Sequence, residues 1–234
     1  MRRYERYSGR TYRRRKKDSS LAIAFVLIIS ALVIVTVHRA VFQEKNYEAF
    51  PSYGSQNAVY APTKEKAEAA RQSEYPAGTP IDEYKGVVVY SNGTNYMSSH
   101  GLNFSQDGYY YGYKWQCVEF VKRFYYLKFG HEMPDGAGNA KYFFNPMLEQ
   151  GAFNEQRGLY QYHNGGDVKP QEDDLLVFTD GAYGHVAIIS EVGKDWIEVI
   201  QQNSEITRER YKMEEKDGKY YISGEKKPAG WLRI

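Results

Sequence analysis

The sequence predicts an α+β fold in which one helix packs on an antiparallel sheet. Apolar residues recur at helical spacing from Cys117 to Leu127, which indicates one amphipathic helix. Short apolar runs separated by Gly, Asp and Lys turns follow in the second half of the chain. Because the strands come after the helix instead of alternating with it, the pattern is typical of a compact α+β domain.

The first 80 residues are predicted to form three segments ahead of this domain. Residues 1–18 are a basic tail with nine Lys or Arg residues. Residues 19–38 are predicted to be a transmembrane anchor, because no charge interrupts the run from Ser19 to Val37, and a 19-residue helix spans about 28 Å. Residues 39–80 mix Pro, Gly, Ser and charged residues and are predicted to be a linker.

This arrangement predicts a single-pass membrane protein that contacts the lipid bilayer through residues 19–38. The basic tail predicts a cytoplasmic N-terminus, which would place the domain at residues 81–234 outside the cytoplasm. A cleaved signal peptide is the main alternative, although no A-x-A-like site is evident after Val37.

Within the domain, the elements follow in a simple order. "GVVVYSN" predicts a buried strand, and a Gly/Tyr-rich loop leads to a helix that begins at Gln116 or Cys117. Gly130 is the predicted helix end, and the charged side chains of the helix fall on the face opposite the apolar one. Strands are predicted at residues 174–178, 184–190, 196–203, 219–223 and 230–234.

Composition narrows the function classes. The net charge of +2 arises from the basic tail, so the rest of the chain is mildly acidic and no nucleic-acid partner is expected. A single cysteine excludes an intramolecular disulfide. The five histidines are scattered without metal-ligand spacing, so neither a metal nor another cofactor is expected.

Cys117 has two interpretations, a small buried hydrophobe or a nucleophile. In the first turn of a helix, a thiolate lies near unpaired backbone N–H groups and the positive end of the helix dipole, and both are expected to lower its pKa. The same N–H groups are candidates for binding the oxyanion of an attacked carbonyl. Gln116 is the candidate side-chain donor for this oxyanion or for substrate.

His185 is the candidate base, and its orientation depends on the register between two predicted strands. If the paired residue numbers of strands 184–190 and 196–203 sum to 386 or 388, Gln201 and Asn203 lie on the face of His185. A sum of 387 directs both away. In the first case an amide oxygen can accept a hydrogen bond from one ring nitrogen, which leaves the other free to take the thiol proton.

Four segments carry a resemblance to a known family: "YGYKWQCVEFVKRF", "DDLLVF", "GHVAII" and "EVIQQN". Residues 81–234 resemble the CHAP family of cysteine- and histidine-dependent amidohydrolases and peptidases, which belongs to the papain-like clan and is related in fold to NlpC/P60 domains. Within that family they resemble the amidase domain of bifunctional glutathionylspermidine synthetase/amidase. The resemblance implies a nucleophile-bearing helix packed on an antiparallel sheet.

The resemblance also implies site residues. The family nucleophile falls on Cys117 and the general base on His185. Where the family usually has a glutamate as imidazole partner, this chain has Gln201, which can accept a hydrogen bond but carries no charge. Asn203 is the other candidate partner of the imidazole.

The predicted function is therefore a membrane-anchored, cysteine-dependent amide hydrolase that acts through an acyl-thioester. Two substrate classes are consistent with it, a glutathione–polyamine amide resembling glutathionylspermidine and a peptidoglycan peptide. The alternative, motivated by Gln201, is a catalytically impaired module that binds cell wall or peptide.

Overall fold

The computed structural model describes residues 70–134 and 138–234, which contain one α-helix and twelve β-strands. The predicted tail, the predicted anchor and linker residues 39–69 lie outside the described residues. The helix and strands are β1 (Pro80–Tyr84), β2 (Val87–Tyr90), β3 (Leu102–Phe104), β4 (Tyr110–Tyr113), α1 (Cys117–Phe129), β5 (Ala152–Asn154), β6 (Leu159–His163), β7 (Leu175–Phe178), β8 (His185–Val192), β9 (Trp196–Ile200), β10 (Arg208–Lys216), β11 (Lys219–Ser223) and β12 (Gly230–Arg233).

Eight of the described strands form one antiparallel sheet in the order β11-β10-β9-β8-β7-β12-β6-β5. The pairs β1-β2 and β3-β4 form two separate hairpins. One helix with a large antiparallel sheet confirms the α+β prediction for the described part of the chain. The predicted boundary at residue 81 stays a prediction, and a short 3-10 turn at Gln72–Glu74 precedes it.

Strand β7 shows how the sheet separates two apolar cores. Leu175 and Val177 belong to the core that contains the inner face of α1. Leu176 and Phe178 belong to a second core on the opposite face of the sheet. Because successive side chains of a strand point to opposite faces, a strand covered on both sides needs a continuous apolar run. This explains why the sequence of β7, "LLVF", does not alternate between apolar and polar residues.

Helix α1 follows its predicted bounds closely. It begins at Cys117, and Gly130 ends it in the left-handed conformation with φ of 62°, which glycine adopts without a steric penalty. Phe120 and Phe124 are fully buried in the core, as the apolar spacing predicts. Leu127, which was expected on the same face, is instead 55% exposed because it lies in the last turn, near the edge of the core.

The polar face of α1 is buried as well. Glu119 is fully buried and accepts hydrogen bonds from Arg123, from Asn103 Nδ2 at 2.8 Å and from Gln202 Nε2 at 2.7 Å. Gln202 also donates to the Gln116 carbonyl at 3.0 Å. A buried carboxylate requires such compensation, since an unpaired charge in the interior is strongly unfavourable. The network therefore joins the start of α1 to the segment that follows β9.

The prediction of a single-pass membrane location is wrong. No helix in residues 70–134 and 138–234 is long and apolar enough to cross a membrane. The described helix, α1, has 13 residues, about 20 Å at 1.5 Å per residue, which is too short for a bilayer. The segment on which the prediction rested, residues 19–38, lies outside the described residues.

The predicted strands correspond to β2, β7, β8, β9, β11 and β12, whereas β1, β3, β4, β5, β6 and β10 were not predicted. The predicted strand at 196–203 ends at Ile200, because the chain turns at Asn203, whose φ is 61°. Strand β10 was not predicted, since its sequence "RERYKMEEK" is largely charged. Its buried positions, Tyr211 and Met213, alternate with exposed ones, so one face of β10 covers the second core.

Glu119→Ala should lower the free energy of unfolding by about 3–5 kcal/mol, because it leaves the buried Arg123 guanidinium without its partner. The measurement is urea unfolding followed by tryptophan fluorescence. Glu214→Ala is the matched control, since its exposed ion pair with Lys212 should contribute less than about 1 kcal/mol. Equal losses in the two variants would contradict a structural role for the Glu119 network.

Candidate active site

A cleft of about 1170 Å³ opens where the start of α1 meets the start of β8. Four of the predicted site residues line it, namely Gln116, Cys117, His185 and Asn203. The fifth, Gln201, is buried behind the cleft and contacts His185. The fold thus brings together residues that are up to 87 positions apart in the sequence.

Cys117 is the first residue of α1, and its side chain is buried, with 7% exposed. Burial raises the pKa of the thiol to about 11, while the backbone amides of Val186 and Val118 act weakly in the opposite direction. The expected lowering of the pKa by the helix start is therefore outweighed by desolvation. At neutral pH the thiol is therefore protonated. Because Val186 follows His185 in the chain, the contact with its amide places Cys117 near the start of β8.

His185 begins β8 directly after a tight approach of two chain segments. Gly184 has φ of 72°, and a Cβ there would lie 2.5 Å from the Phe178 carbonyl oxygen and 2.6 Å from the Lys141 nitrogen. Only glycine fits this position, so Gly184 fixes where β8 starts. Burial lowers the pKa of the His185 imidazole to about 4. The hydrogen bond that His185 donates to Gln201 acts to raise this pKa, and the positive charge of Lys226 acts to lower it.

The imidazole of His185 is held by the Gln201 side chain, with 2.9 Å between His185 Nε2 and Gln201 Oε1. The pairs Ile188–Ile200 and Ile189–Val199 give the register sum of 388 that this contact requires. A bulge at Ser190 shifts the pairing by one residue further along the strands. The register near the site is thus the one that places Gln201 on the face of His185.

The orientation of the Gln201 amide determines the tautomer of His185. Gln201 Nε2 donates to the Ile206 carbonyl at 3.1 Å and to Glu209 Oε2 at 3.2 Å, and both partners are acceptors. The amide oxygen must therefore face the imidazole, and an oxygen can only accept. It follows that His185 carries its proton on Nε2, which leaves Nδ1 with a lone pair.

Asn203 is placed against Gln116, and no hydrogen bond joins it to His185 among the described residues. Its Nδ2 donates to Gln116 Oε1 at 2.6 Å and to the Tyr96 carbonyl at 3.0 Å. Its Oδ1 accepts from Asn92 at 2.9 Å. Asn203 therefore holds the wall of the cleft, while the imidazole partner is Gln201.

Gln116 does not direct its amide donors into the cleft. Its Nε2 donates to the Ser98 carbonyl at 2.7 Å and to the Tyr96 carbonyl at 3.1 Å. Both carbonyls are therefore acceptors for this amide, and the role of Gln116 as an oxyanion donor stays a prediction. The Cys117 backbone N–H, in the first turn of α1, remains a candidate donor for such a charge.

Sequence analysis did not predict several residues that support or line the cleft. Glu209 was not recognised because β10 was not predicted, although pairing with β9 places it opposite Val199 and on the face of Gln201. Tyrosines that precede α1 also line the cleft, together with Met97, and these are Tyr96, Tyr110, Tyr111 and Tyr113.

Residues 108–203 match the sequence model of the CHAP domain family. The chain contains a CHAP domain. The match covers β4, α1 and the sheet as far as Asn203, and so includes every predicted site residue. This confirms the resemblance that the sequence motifs carried.

The CHAP domain has relatives among well-described proteins. Trypanothione synthetase from Crithidia fasciculata is 27% identical over 177 residues, which cover 67% of this chain and 27% of the relative. The bifunctional glutathionylspermidine synthetase/amidases of Escherichia coli (strain K12) and Shigella flexneri are each 29% identical over 130 residues, which cover 50% of this chain and 21% of those proteins. The aligned region thus spans about a quarter of the length of these relatives.

Alkylation of Cys117 by iodoacetamide should accelerate about tenfold per pH unit between pH 8 and pH 10 without levelling off, because only the thiolate reacts and burial raises the thiol pKa to about 11. Intact-mass spectrometry gives the rate, since the chain has one cysteine.

The same chain unfolded in urea is the control, and its thiol should level off above its ordinary pKa of about 8.5. A plateau below pH 8 in the folded protein would instead indicate a preformed thiolate–imidazolium pair.

Proposed function

We propose that this CHAP domain is a cysteine-dependent amide hydrolase. The observation that carries the proposal is that Cys117 and His185 line one cleft, while Gln201 Oε1 holds His185 Nε2 at 2.9 Å. A thiol, an imidazole and an amide orienter form a recurrent arrangement for nucleophilic catalysis. The matched family and the amidase named among its relatives support the same reaction class.

The reaction begins with both groups neutral. As Cys117 Sγ attacks the amide carbonyl, the thiol proton passes to His185 Nδ1, and the carbonyl oxygen becomes an oxyanion. The Cys117 backbone N–H lies at the start of α1, where helix N–H groups have no helical partner, and is the donor assigned to that oxyanion. The ring proton then goes to the leaving amine, and an acyl-thioester remains on Cys117.

Water completes the cycle. The neutral imidazole of His185 removes a proton from water as the water oxygen attacks the thioester carbonyl. The tetrahedral intermediate collapses, the C–S bond breaks, and the proton returns to the Cys117 sulfur. The products are a carboxylic acid and an amine.

A glutathionylspermidine-like amide is the favoured substrate class. The names of two relatives include glutathionylspermidine synthetase/amidase. The cleft also carries both signs of charge, with Glu209 and Glu225 against Lys122 and Lys226. This distribution suits an amide that joins an anionic peptide to a cationic polyamine. A peptidoglycan peptide lies outside the cytoplasm, and the predicted membrane anchor that would place the domain there is not supported by the part of the chain that the structure describes.

Incubation of the full chain with glutathionylspermidine should release spermidine, and a peptidoglycan peptide should be cleaved slowly or not at all. Mass spectrometry of the released amines measures both. Cys117→Ala and His185→Ala should each lower turnover at least about 10³-fold, because the nucleophile or its base is lost. Glu214→Gln is the control for an unrelated surface change.

Three outcomes would change the assignment. Undiminished turnover in Cys117→Ala would reject cysteine catalysis. Cleavage of the wall peptide alone would change the substrate class. Binding of either ligand without turnover by the wild-type chain would favour the alternative that Gln201 suggests, a catalytically impaired binding module.

A further inference from the structure

Behind the imidazole lies a carboxylate that the reaction described above does not use. Glu209, on β10, accepts a hydrogen bond from Gln201 Nε2 at 3.2 Å, and Gln201 in turn accepts the hydrogen bond from His185. A continuous relay therefore runs from imidazole to amide to carboxylate. Glu209 is half-buried at the cleft, so solvent screens its charge only in part.

The charge balance of the site makes such a carboxylate important. When His185 takes the Cys117 proton, an imidazolium forms where burial disfavours it, as its lowered pKa records. Gln201 is neutral and offers only an amide dipole. Lys226 opposes the imidazolium, since its positive charge lowers the pKa of His185. An anion at the end of the relay would offset both effects.

We propose that Glu209 is a positioning residue that stabilises the transient His185 imidazolium through the Gln201 amide. The direct partner of the imidazole, Gln201, is neutral. The negative charge lies one hydrogen bond further away, on Glu209 of β10. The proposal deepens the proposed function and rests on it for the meaning of the imidazolium, although its test requires no substrate.

The geometry separates this role from a merely structural one. The Ile206 carbonyl, at 3.1 Å from Gln201 Nε2, also fixes the orientation of the amide. Loss of the Glu209 charge should therefore leave the tautomer of His185 unchanged and alter only the energy of its charged form.

Other charged or titratable side chains lie near the relay of His185, Gln201 and Glu209. Tyr211, next but one on β10, has its pKa raised by burial and then by Glu209, so its hydroxyl stays neutral over the working range. Glu225 and Lys226 lie on the loop before β12, and both line the cleft.

The test is the reaction of Cys117 with 2,2′-dipyridyl disulfide, which forms a mixed disulfide and releases 2-thiopyridone. Thiolate formed by proton transfer to His185 does not depend on pH, whereas thiolate formed by loss of the proton to solvent falls about tenfold with each pH unit. Reaction at pH 5 is therefore the more sensitive to the His185 route, and reaction at pH 9.5 to the solvent route. Glu209→Gln keeps the size and an acceptor oxygen but removes the charge. Glu214→Gln is the matched control, since it removes one charge from an exposed position on the same strand.

Glu209→Gln should slow the reaction at pH 5 about tenfold, the ratio that corresponds to one pKa unit, and change it less than about twofold at pH 9.5. Glu214→Gln should leave both rates unchanged. The double variant Gln201→Glu with Glu209→Gln should regain the rate at pH 5, because the charge then contacts the imidazole directly. Gln201→Glu alone should not exceed wild type, since two adjacent carboxylates raise each other's pKa.

An unchanged rate at pH 5 in Glu209→Gln would overturn the proposal. Equal slowing at both pH values would also overturn it, because that pattern reports lost access or packing. If the pH 5 effect is present but neither substrate class is hydrolysed, the role of Glu209 holds and the proposed hydrolase function fails.

Discussion

The orientation of one side-chain amide determines the chemistry of this cleft. Gln201 Nε2 is bound by two acceptors, the Ile206 carbonyl and the Glu209 carboxylate, so its oxygen must face His185. That oxygen accepts the Nε2 proton of the ring and leaves a lone pair on Nδ1, which is the base in the proposed mechanism. A flipped amide would present a donor to Nε2 and exchange the roles of the two ring nitrogens.

Burial is the second constraint, because it favours the neutral forms of Cys117 and His185, the two groups that exchange a proton in the proposed mechanism. Desolvation raises the pKa of the Cys117 thiol to about 11 and lowers that of His185 to about 4. In the proposed mechanism, charge develops only when Cys117 attacks, and the groups that stabilise this charge must already be in position. The rigid network of Glu119, Arg123 and Gln202 supplies this preorganisation, since it joins the start of α1 to the segment that carries Gln201.

Local patterns of the sequence predicted the parts of the fold that depend on local spacing. The helix from Cys117 and its end at Gly130 follow from periodicity. Strand parity limited the register of β8 and β9 to two cases, and the structure shows the case that brings Gln201 to His185. The thiol pKa did not, because it depends on how deeply a side chain is buried by distant segments. Glu209 was missed for a related reason, since the charged sequence of β10 hides a strand whose inner face is apolar.

The central claim is most directly tested by nitrogen-15 NMR of the histidine rings in the full chain, with His185→Gln to assign the signal. The account predicts a neutral His185 at pH 6, with its proton on Nε2 and a pKa near 4, well below the ordinary value of about 6.5. A proton on Nδ1 of the neutral ring, or an imidazolium at pH 7, would contradict it.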